Sequence, residues 1–169
     1  CNANAPPEIT VSARNPYCSL EQILIGENFN ITDPDDTGIS EFSVQISSGY
    51  QSGTDVLALT GNHPSISSSW NSSEGKLTLS PIGGAEILYA DLIPAVREIV
   101  YQSSATVSGE KFFSFSIGDA NYLPSTDHYY EYVPNDGIDW ESARIAAQNR
   151  TYFGLQGYLA TILTPDEAQ

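Results

Sequence analysis

Short apolar runs separated by turn residues fill about the first 120 residues of the chain. In the run 39–47, Phe42, Val44 and Ile46 alternate with mostly polar residues. Because successive side chains of a strand point to opposite faces, this period of two is typical of a half-buried β-strand. Comparable runs lie at 8–12, 22–25, 29–31, 55–59, 77–80, 99–101 and 111–117. Short strands at this spacing predict a mainly β chain folded as an antiparallel β-sandwich.

Two segments replace this alternation with helical spacing. Between Glu86 and Ile99 the apolar residues recur on one helical face, and Pro94 is expected to keep that helix short. A second helix is predicted to begin at Trp140, with Asp139 as its N-cap and alanines 143, 146 and 147 on one compact face. Tyr122 and Leu123 precede it in a short stretch, 121–127, that we expect to be a packed junction.

Composition and charge narrow the function classes. Hydrophobic residues are 40% of the chain and aromatic residues 11%, which is enough for a packed core. The net charge is −15, from 21 acidic and 6 basic residues, so the chain offers no counter-charge to a phosphate backbone and nucleic-acid binding is excluded. No apolar run reaches the roughly 18 residues that a transmembrane helix needs, so no membrane-spanning segment is predicted.

Two cysteines indicate an extracytoplasmic location by either of two routes. The segment beginning at Cys1 has the composition of a mature terminus from which a signal peptide has been removed. Cys1 and Cys18 are close enough in sequence to close a short disulfide loop, worth about 3 kcal/mol in the chain-entropy model. Alternatively, Cys1 carries the lipid of a bacterial lipoprotein and Cys18 is free. We favour the disulfide, because two cysteines this close in a secreted β protein usually pair.

The order of several motifs across about 110 residues resembles the cadherin-like, or immunoglobulin-like, sandwiches of large bacterial surface proteins. The motifs are Pro6-Pro7-Glu8-Ile9, Ile31-Thr32-Asp33-Pro34-Asp35, Gly53-x-Asp55-x-Leu57, Trp70, Gly75-x-Leu77-Thr78-Leu79, Ile99-x-Tyr101 and Phe113-x-Phe115. In that family an Asp-rich turn contributes to Ca²⁺ binding. The resemblance therefore implies calcium ligands at Asp33, Asp35 and Asp36, with Glu8 as a partner. The alternative is an Asx turn in which Asp33 caps backbone N–H groups.

The last 42 residues resemble the N-terminal third of a C-type lectin-like domain. Tyr129-Tyr130-Glu131-Tyr132 matches its aromatic first strand, Trp140 leads the helix, and Gly157-x-Leu159-Ala160-x-Ile162 matches the strand after it. The resemblance implies that the tyrosine strand builds the domain core, although these rings could also stack on sugars. Calcium and sugar ligands of such domains would lie beyond Gln169, so no ligand-binding residue is carried over.

The two resemblances divide the chain into a sandwich at 1–120, a junction at 121–127 and an incomplete α+β lectin-like module at 128–169. No catalytic motif is present, and we do not expect an enzyme. The two histidines are predicted to lie in different domains, with His63 a solvated turn residue and His128 packed near the junction.

A sandwich followed by a lectin-like module is similar to secreted surface proteins of gliding bacteria that are exported by the type IX pathway. That resemblance implies adhesion or surface recognition, including glycan binding, at the bacterial cell surface. The alternative is a structural or assembly role, in which the chain docks through protein contacts on an outer-membrane secretion or motility complex. Fold alone does not separate the two.

Overall fold

Antiparallel strands predominate in the computed structural model, which describes residues 7–12, 15–18, 20–106, 109–118, 121–123, 126, 128–152 and 155–164. The first eleven strands are β1 (Glu8–Thr10), β2 (Gln22–Leu24), β3 (Asn30–Thr32), β4 (Gly38–Ile39), β5 (Phe42–Ser48), β6 (Asp55–Leu59), β7 (Ile66–Asn71), β8 (Lys76–Pro81), β9 (Ile87–Leu88), β10 (Ile99–Ser103) and β11 (Phe112–Ile117). The elements after them are β12 (Asn121–Leu123), β13 (His128–Tyr130), β14 (Thr151–Tyr152) and β15 (Leu155–Gln156). Two helices are described, α1 (Tyr89–Arg97) and α2 (Trp140–Gln148).

Two sheets build the sandwich. One has the strand order β11-β5-β8-β7 and the other the order β2-β10-β6, and β1 with β3 and β4 with β9 form small antiparallel pairs beside them. The register aligns Phe115 with Val44, Val44 with Leu77, and Leu77 with Trp70, so one row of apolar side chains crosses the larger sheet. Cross-strand rows of this kind stabilise antiparallel sheets.

The core lies between the two sheets and confirms the period-two pattern. Phe42, Val44 and Ile46 are all buried. From the smaller sheet, Leu57 and Tyr101 join the same apolar cluster. The run predicted as one strand over 39–47 is divided, however, because Ile39 pairs with β9 and β5 begins only at Phe42.

Helix α1 closes one side of the core. Its nine residues bury Leu92, Ala95 and Val96, as the helical spacing predicts. Pro94 lies inside the helix and not in its first turn, where it removes one backbone hydrogen bond, and the helix ends three residues later at Arg97. Gly26 packs directly against α1, because a Cβ added there would lie 2.4 Å from the carbonyl oxygen of Val96.

The elements after the sandwich differ in part from the sequence-based expectation. The stretch predicted as a junction contains β12, which pairs with β13 in an antiparallel hairpin. Helix α2 begins at Trp140 as predicted, and the Asp139 carboxylate accepts from the Ser142 backbone N–H at 3.0 Å. The predicted strand at 157–162 is wrong, because the strand in this region is β15, which pairs with β14, and the described residues 157–163 have no regular structure.

A hydrogen bond from Tyr152 joins these later elements to the sandwich. The Tyr152 hydroxyl donates to the carbonyl oxygen of Ile117 at 2.5 Å, and the Tyr152 ring lies 5.0 Å from that of Tyr129. Burial, with the charge of Glu131 contributing, raises the pKa of Tyr152 well above its usual value, so the hydroxyl remains a donor at neutral pH. Among the described residues, no helix has the length and apolar character that crossing a bilayer requires.

Candidate functional site

The acidic turn between β3 and β4 gathers three predicted calcium ligands. One carboxylate oxygen each from Asp33, Asp35 and Asp36 lies within 4.8 Å of the other two. Glu8 is not part of this group, although the register places it opposite Thr32, the residue before Asp33. The structure therefore brings together three of the four residues that the sequence singled out.

Asp33 also performs the alternative role, an Asx turn. Its Oδ1 accepts hydrogen bonds from the backbone N–H groups of Asp35 and Asp36, both at 3.1 Å, and its Oδ2 accepts from the Tyr89 hydroxyl at 3.2 Å. Burial raises the pKa of Asp33, but these hydrogen bonds outweigh it and hold the pKa below its usual value. The carboxylate is therefore ionised at neutral pH.

The carboxylate oxygens of this turn meet the coordination needs of a hard cation only in part. Ca²⁺ takes 6–8 oxygen ligands, whereas the turn supplies three carboxylates and both oxygens of Asp33 already bond within the protein. A cation here would take most of its ligands from water. The arrangement can hold the turn in shape without a metal, because the Asx hydrogen bonds are complete in themselves.

A second candidate surface lies on residues 128–163, which we call the exposed C-terminal face. Helix α2 has no buried residue in the structure. Tyr132 is 85% exposed and Trp140 68%, and Tyr158 is also solvent-facing. The aliphatic members of the exposed C-terminal face are Val133, Ile138, Ile145, Leu155, Ile162 and Leu163. Single exposed apolar residues are normal on a protein surface, but this many within one segment make the segment a candidate interaction surface.

The tyrosine strand does not build a core among the described residues. Tyr129 and Tyr132 are exposed, and Tyr130 is half-buried. That this strand builds the core of a lectin-like domain stays a prediction. Around His128, the rings of Tyr130 and Tyr158 stand edge-on at 6.2 Å and 5.8 Å, and the Tyr158 hydroxyl lies 3.2 Å from His128 Nδ1.

His63 differs from its predicted environment. Its side chain is only 11% exposed, and Nε2 lies 2.9 Å from Glu98 Oε2. The ring therefore packs at the end of α1, while His128 lies on the exposed C-terminal face.

The disulfide prediction falls partly outside the described residues, since these do not include Cys1. Cys18 is exposed. The choice between a disulfide and a lipid on Cys1 stays a prediction.

A buried ion pair is the feature that sequence reasoning missed. Lys111 Nζ lies 2.7 Å from Asp55 Oδ2, and the two side chains are 5% and 0% exposed. The partners are 56 residues apart, and the motif Gly53-x-Asp55-x-Leu57 that contains Asp55 gives no indication that Lys111 is its partner. Only the pairing of two sheets brings them together, so no local signal could have found them.

No protein-family model matches the chain, and no solved structure matches it. A curated protein named Halomucin, from Haloquadratum walsbyi, is 32% identical over 169 residues, and the alignment covers 94% of this chain. The chain spans only 2% of the length of that relative. Because the alignment omits so little of this chain, it runs through both the sandwich and the exposed C-terminal face.

Proposed function

We propose that this chain belongs to a secreted cell-surface protein and makes adhesive or recognition contacts through the exposed C-terminal face. The observation that carries the proposal is the exposure of three aromatic side chains, Tyr132, Trp140 and Tyr158, within this one segment of the chain. Similarity to a protein named as a mucin supports the surface location. Type IX export and a bacterial source stay predictions.

Glycans are the ligand class that the aromatic residues favour. A flat aromatic ring offers its face to the C–H groups of a pyranose, and Tyr and Trp supply such contact area with few rotatable bonds. The net charge of −15 repels anionic ligands, so neutral glycans are preferred over sulfated or sialylated ones. Tyr158, whose hydroxyl contacts His128, combines a solvent-facing ring with a polar group for a sugar hydroxyl.

A second candidate function, protein recognition or assembly, has its own observation. Ile145, Ile162 and Leu163 are exposed in the same segment as the aromatic residues, and Leu163 is 80% exposed. Branched aliphatic side chains add little to sugar binding, whereas they fill the cores of protein interfaces. In this form of the proposal, the exposed C-terminal face packs against another polypeptide.

Glycan binding is tested with neutral and anionic glycan arrays, followed by saturation-transfer NMR, with and without calcium. We expect neutral glycans to bind the native chain and binding to be lost in Tyr158→Ala and Trp140→Ala. Phe112→Ala is the matched control, because Phe112 is an aromatic residue of the sandwich strand β11 that is also more than half exposed. Absence of any glycan binding, or equal loss in the control, would contradict this form of the proposal.

Protein recognition is tested by amide hydrogen exchange on the protein purified from its source and on the isolated chain. If polypeptide contacts cover the face, the α2 amides exchange more slowly in the source protein. Ile145→Ser and Leu163→Ser should then abolish the added protection, while Phe112→Ser should leave it unchanged. Equal amide exchange rates in the source protein and the isolated chain, together with glycan binding, would favour glycan recognition over protein recognition.

A further inference from the structure

The sequence Asn-x-Ser/Thr, with any residue except proline in the middle, occurs three times in the chain. The copies are Asn30-Ile31-Thr32, Asn71-Ser72-Ser73 and Asn149-Arg150-Thr151. This motif is the acceptor for N-linked glycans in secreted proteins, where the hydroxyl two residues after the asparagine is part of what the transferase recognises. The sequence motif alone does not show which of the three asparagines would carry a glycan, but their local structures differ.

Asn71 is the copy whose geometry matches the motif's chemistry. It is exposed at the end of β7, where the chain turns into β8. Its Oδ1 accepts hydrogen bonds from the Ser73 backbone N–H at 3.0 Å and from the Ser73 hydroxyl at 2.6 Å. Both bonds engage Oδ1, so the carboxamide is held beside the recognition hydroxyl while Nδ2, the atom that would accept the sugar, takes no part in the turn.

Neighbouring side chains hold this turn in place. The Tyr50 hydroxyl donates to the Ser72 carbonyl oxygen at 2.6 Å, and the Ser52 hydroxyl donates to the same oxygen at 3.2 Å. The Tyr50 ring packs edge-on against Trp70, with centroids 6.2 Å apart. The acceptor is therefore presented on a fixed turn, and a transferase meets the same geometry in each folded molecule.

The other two copies lack this arrangement. Asn30 lies within β3, is half-buried, and pairs with Thr10 of β1. Asn149 is exposed at the C-terminus of α2, where its backbone N–H bonds to the helix. Within the part of the chain that the structure describes, neither Thr32 nor Thr151 bonds to the carboxamide of its asparagine.

We propose that Asn71 is the site of an N-linked glycan. Nδ2 attacks the anomeric carbon of a lipid-linked oligosaccharide, a carbon–nitrogen bond forms, and the bond between that carbon and the phosphate oxygen breaks. The lipid phosphate leaves, and the proton lost from Nδ2 goes to a base of the oligosaccharyltransferase. No oxidant or reductant is required.

The position of Asn71 gives this glycan a physical role. In the described structure β7 is the edge strand of the four-stranded sheet, and Ser67, Ser68 and Ser69 along it are exposed. Exposed edge strands can pair with another chain, and natural proteins block them with charges, prolines or covering groups. A hydrated glycan at the end of β7 covers the edge without displacing a neighbouring strand.

The test is glycopeptide mapping by tandem mass spectrometry of the protein purified from its source, with variants expressed in the same source. We expect a glycan on the Asn71 peptide, complete loss of that signal in Asn71→Gln and Ser73→Ala, and retention in Ser73→Thr. Ser72→Ala is the control, because the middle residue of the motif does not supply the hydroxyl. Thermal melting of each variant separates loss of the glycan from loss of the fold.

Either of two results would overturn the proposal. The first is an unmodified Asn71 in the source protein, whether or not Asn30 or Asn149 carries a glycan. The second is a modification near β7 that persists in Asn71→Gln and maps to a serine hydroxyl, which would assign O-linked sugar to the Ser-rich strand.

Discussion

The carboxylate of Asp55 and the ammonium of Lys111 join the two sheets of the sandwich from inside. Asp55 begins β6 in one sheet, and Lys111 immediately precedes β11 in the other. Burial alone would raise the pKa of Asp55, but hydrogen bonds from Lys111, Ser103, the Gln51 N–H and Tyr101 outweigh it and hold the pKa below its usual value. The Asp55 carboxylate is ionised at neutral pH because each of these partners donates a hydrogen bond to it.

Removing one member of this pair should cost much more than removing a surface pair. In Lys111→Met, Asp55 is left buried and charged, and we expect a loss of about 3–5 kcal/mol in the free energy of unfolding. Arg144→Met is the matched control, because Arg144 pairs with Glu141 at the surface of α2 and should cost about 1 kcal/mol or less. Urea denaturation measures both.

Acid should act on the same pair in a known direction. Because the folded-state pKa of Asp55 lies below the unfolded-state value of 3.8, its stabilisation is present above that value and is lost as the pH falls through the folded-state pKa. The double variant Asp55→Asn/Lys111→Met should lack this pH-dependent part of the free energy of unfolding.

If Lys111→Met lowers the free energy of unfolding by as little as Arg144→Met does, water reaches the Asp55–Lys111 pair.

The acidic turn carries a residue-scale prediction about calcium. We propose that Asp35 and Asp36, with Asp33, bind Ca²⁺ with a dissociation constant on the order of 10⁻⁴–10⁻³ M, the range of extracellular modules. Millimolar calcium should then raise the melting temperature, and Asp35→Asn/Asp36→Asn should abolish the rise while Asp33 keeps its turn. Mg²⁺ at equal concentration is the control. Equal shifts for both ions, or for both proteins, would mean that only charge screening is observed.

At the scale of elements, the two helices have the same length but opposite environments. Leu92 of α1 is fully buried, so Leu92→Ala should lower the free energy of unfolding by about 2–5 kcal/mol. Ile145 of α2 is 46% exposed, so Ile145→Ala should change it by about 0.5 kcal/mol or less. Denaturation of the isolated chain measures both, and a large cost at Ile145 would show that α2 packs internally.

Elements were predictable where a local pattern decides burial. Val44 is buried as the period-two pattern of its strand predicts, and Leu92 is buried as the helical spacing of α1 predicts. In both cases the sequence pattern identifies the side of the element that faces the core. The Asp33 turn was also readable, because its hydrogen bonds join residues two and three positions apart. The hairpin of β12 with β13 was missed although it is local, because β12 has only three residues and is too short to show an alternating pattern. The Asp55–Lys111 pair was unreadable for a different reason, since tertiary structure alone brings together two residues 56 positions apart.

At the scale of the whole molecule, charge opposes compaction. With 6 basic against 21 acidic residues, most carboxylates cannot have a basic partner of their own. Lys111, Arg144 and Arg150 are already paired with Asp55, Glu141 and Glu131. The folded chain therefore carries a large uncompensated negative charge, which keeps it soluble and raises the free energy of the compact state.

Salt should therefore stabilise the fold. Raising NaCl from 0.01 M to 1 M shortens the Debye length from about 30 Å to about 3 Å, and the repulsion between exposed carboxylates falls with it. Each kcal/mol by which the repulsion falls should raise the melting temperature by about 2–4 °C at this chain length.

Salt also strengthens apolar burial, so a control is needed that changes charge alone. The variant Glu21→Gln/Glu27→Gln/Glu74→Gln removes three exposed charges and leaves the core intact. If repulsion is the cause, this variant melts higher than the native chain at low salt and the two curves converge at high salt. Parallel curves would instead assign the salt effect to the buried apolar surface that both proteins share.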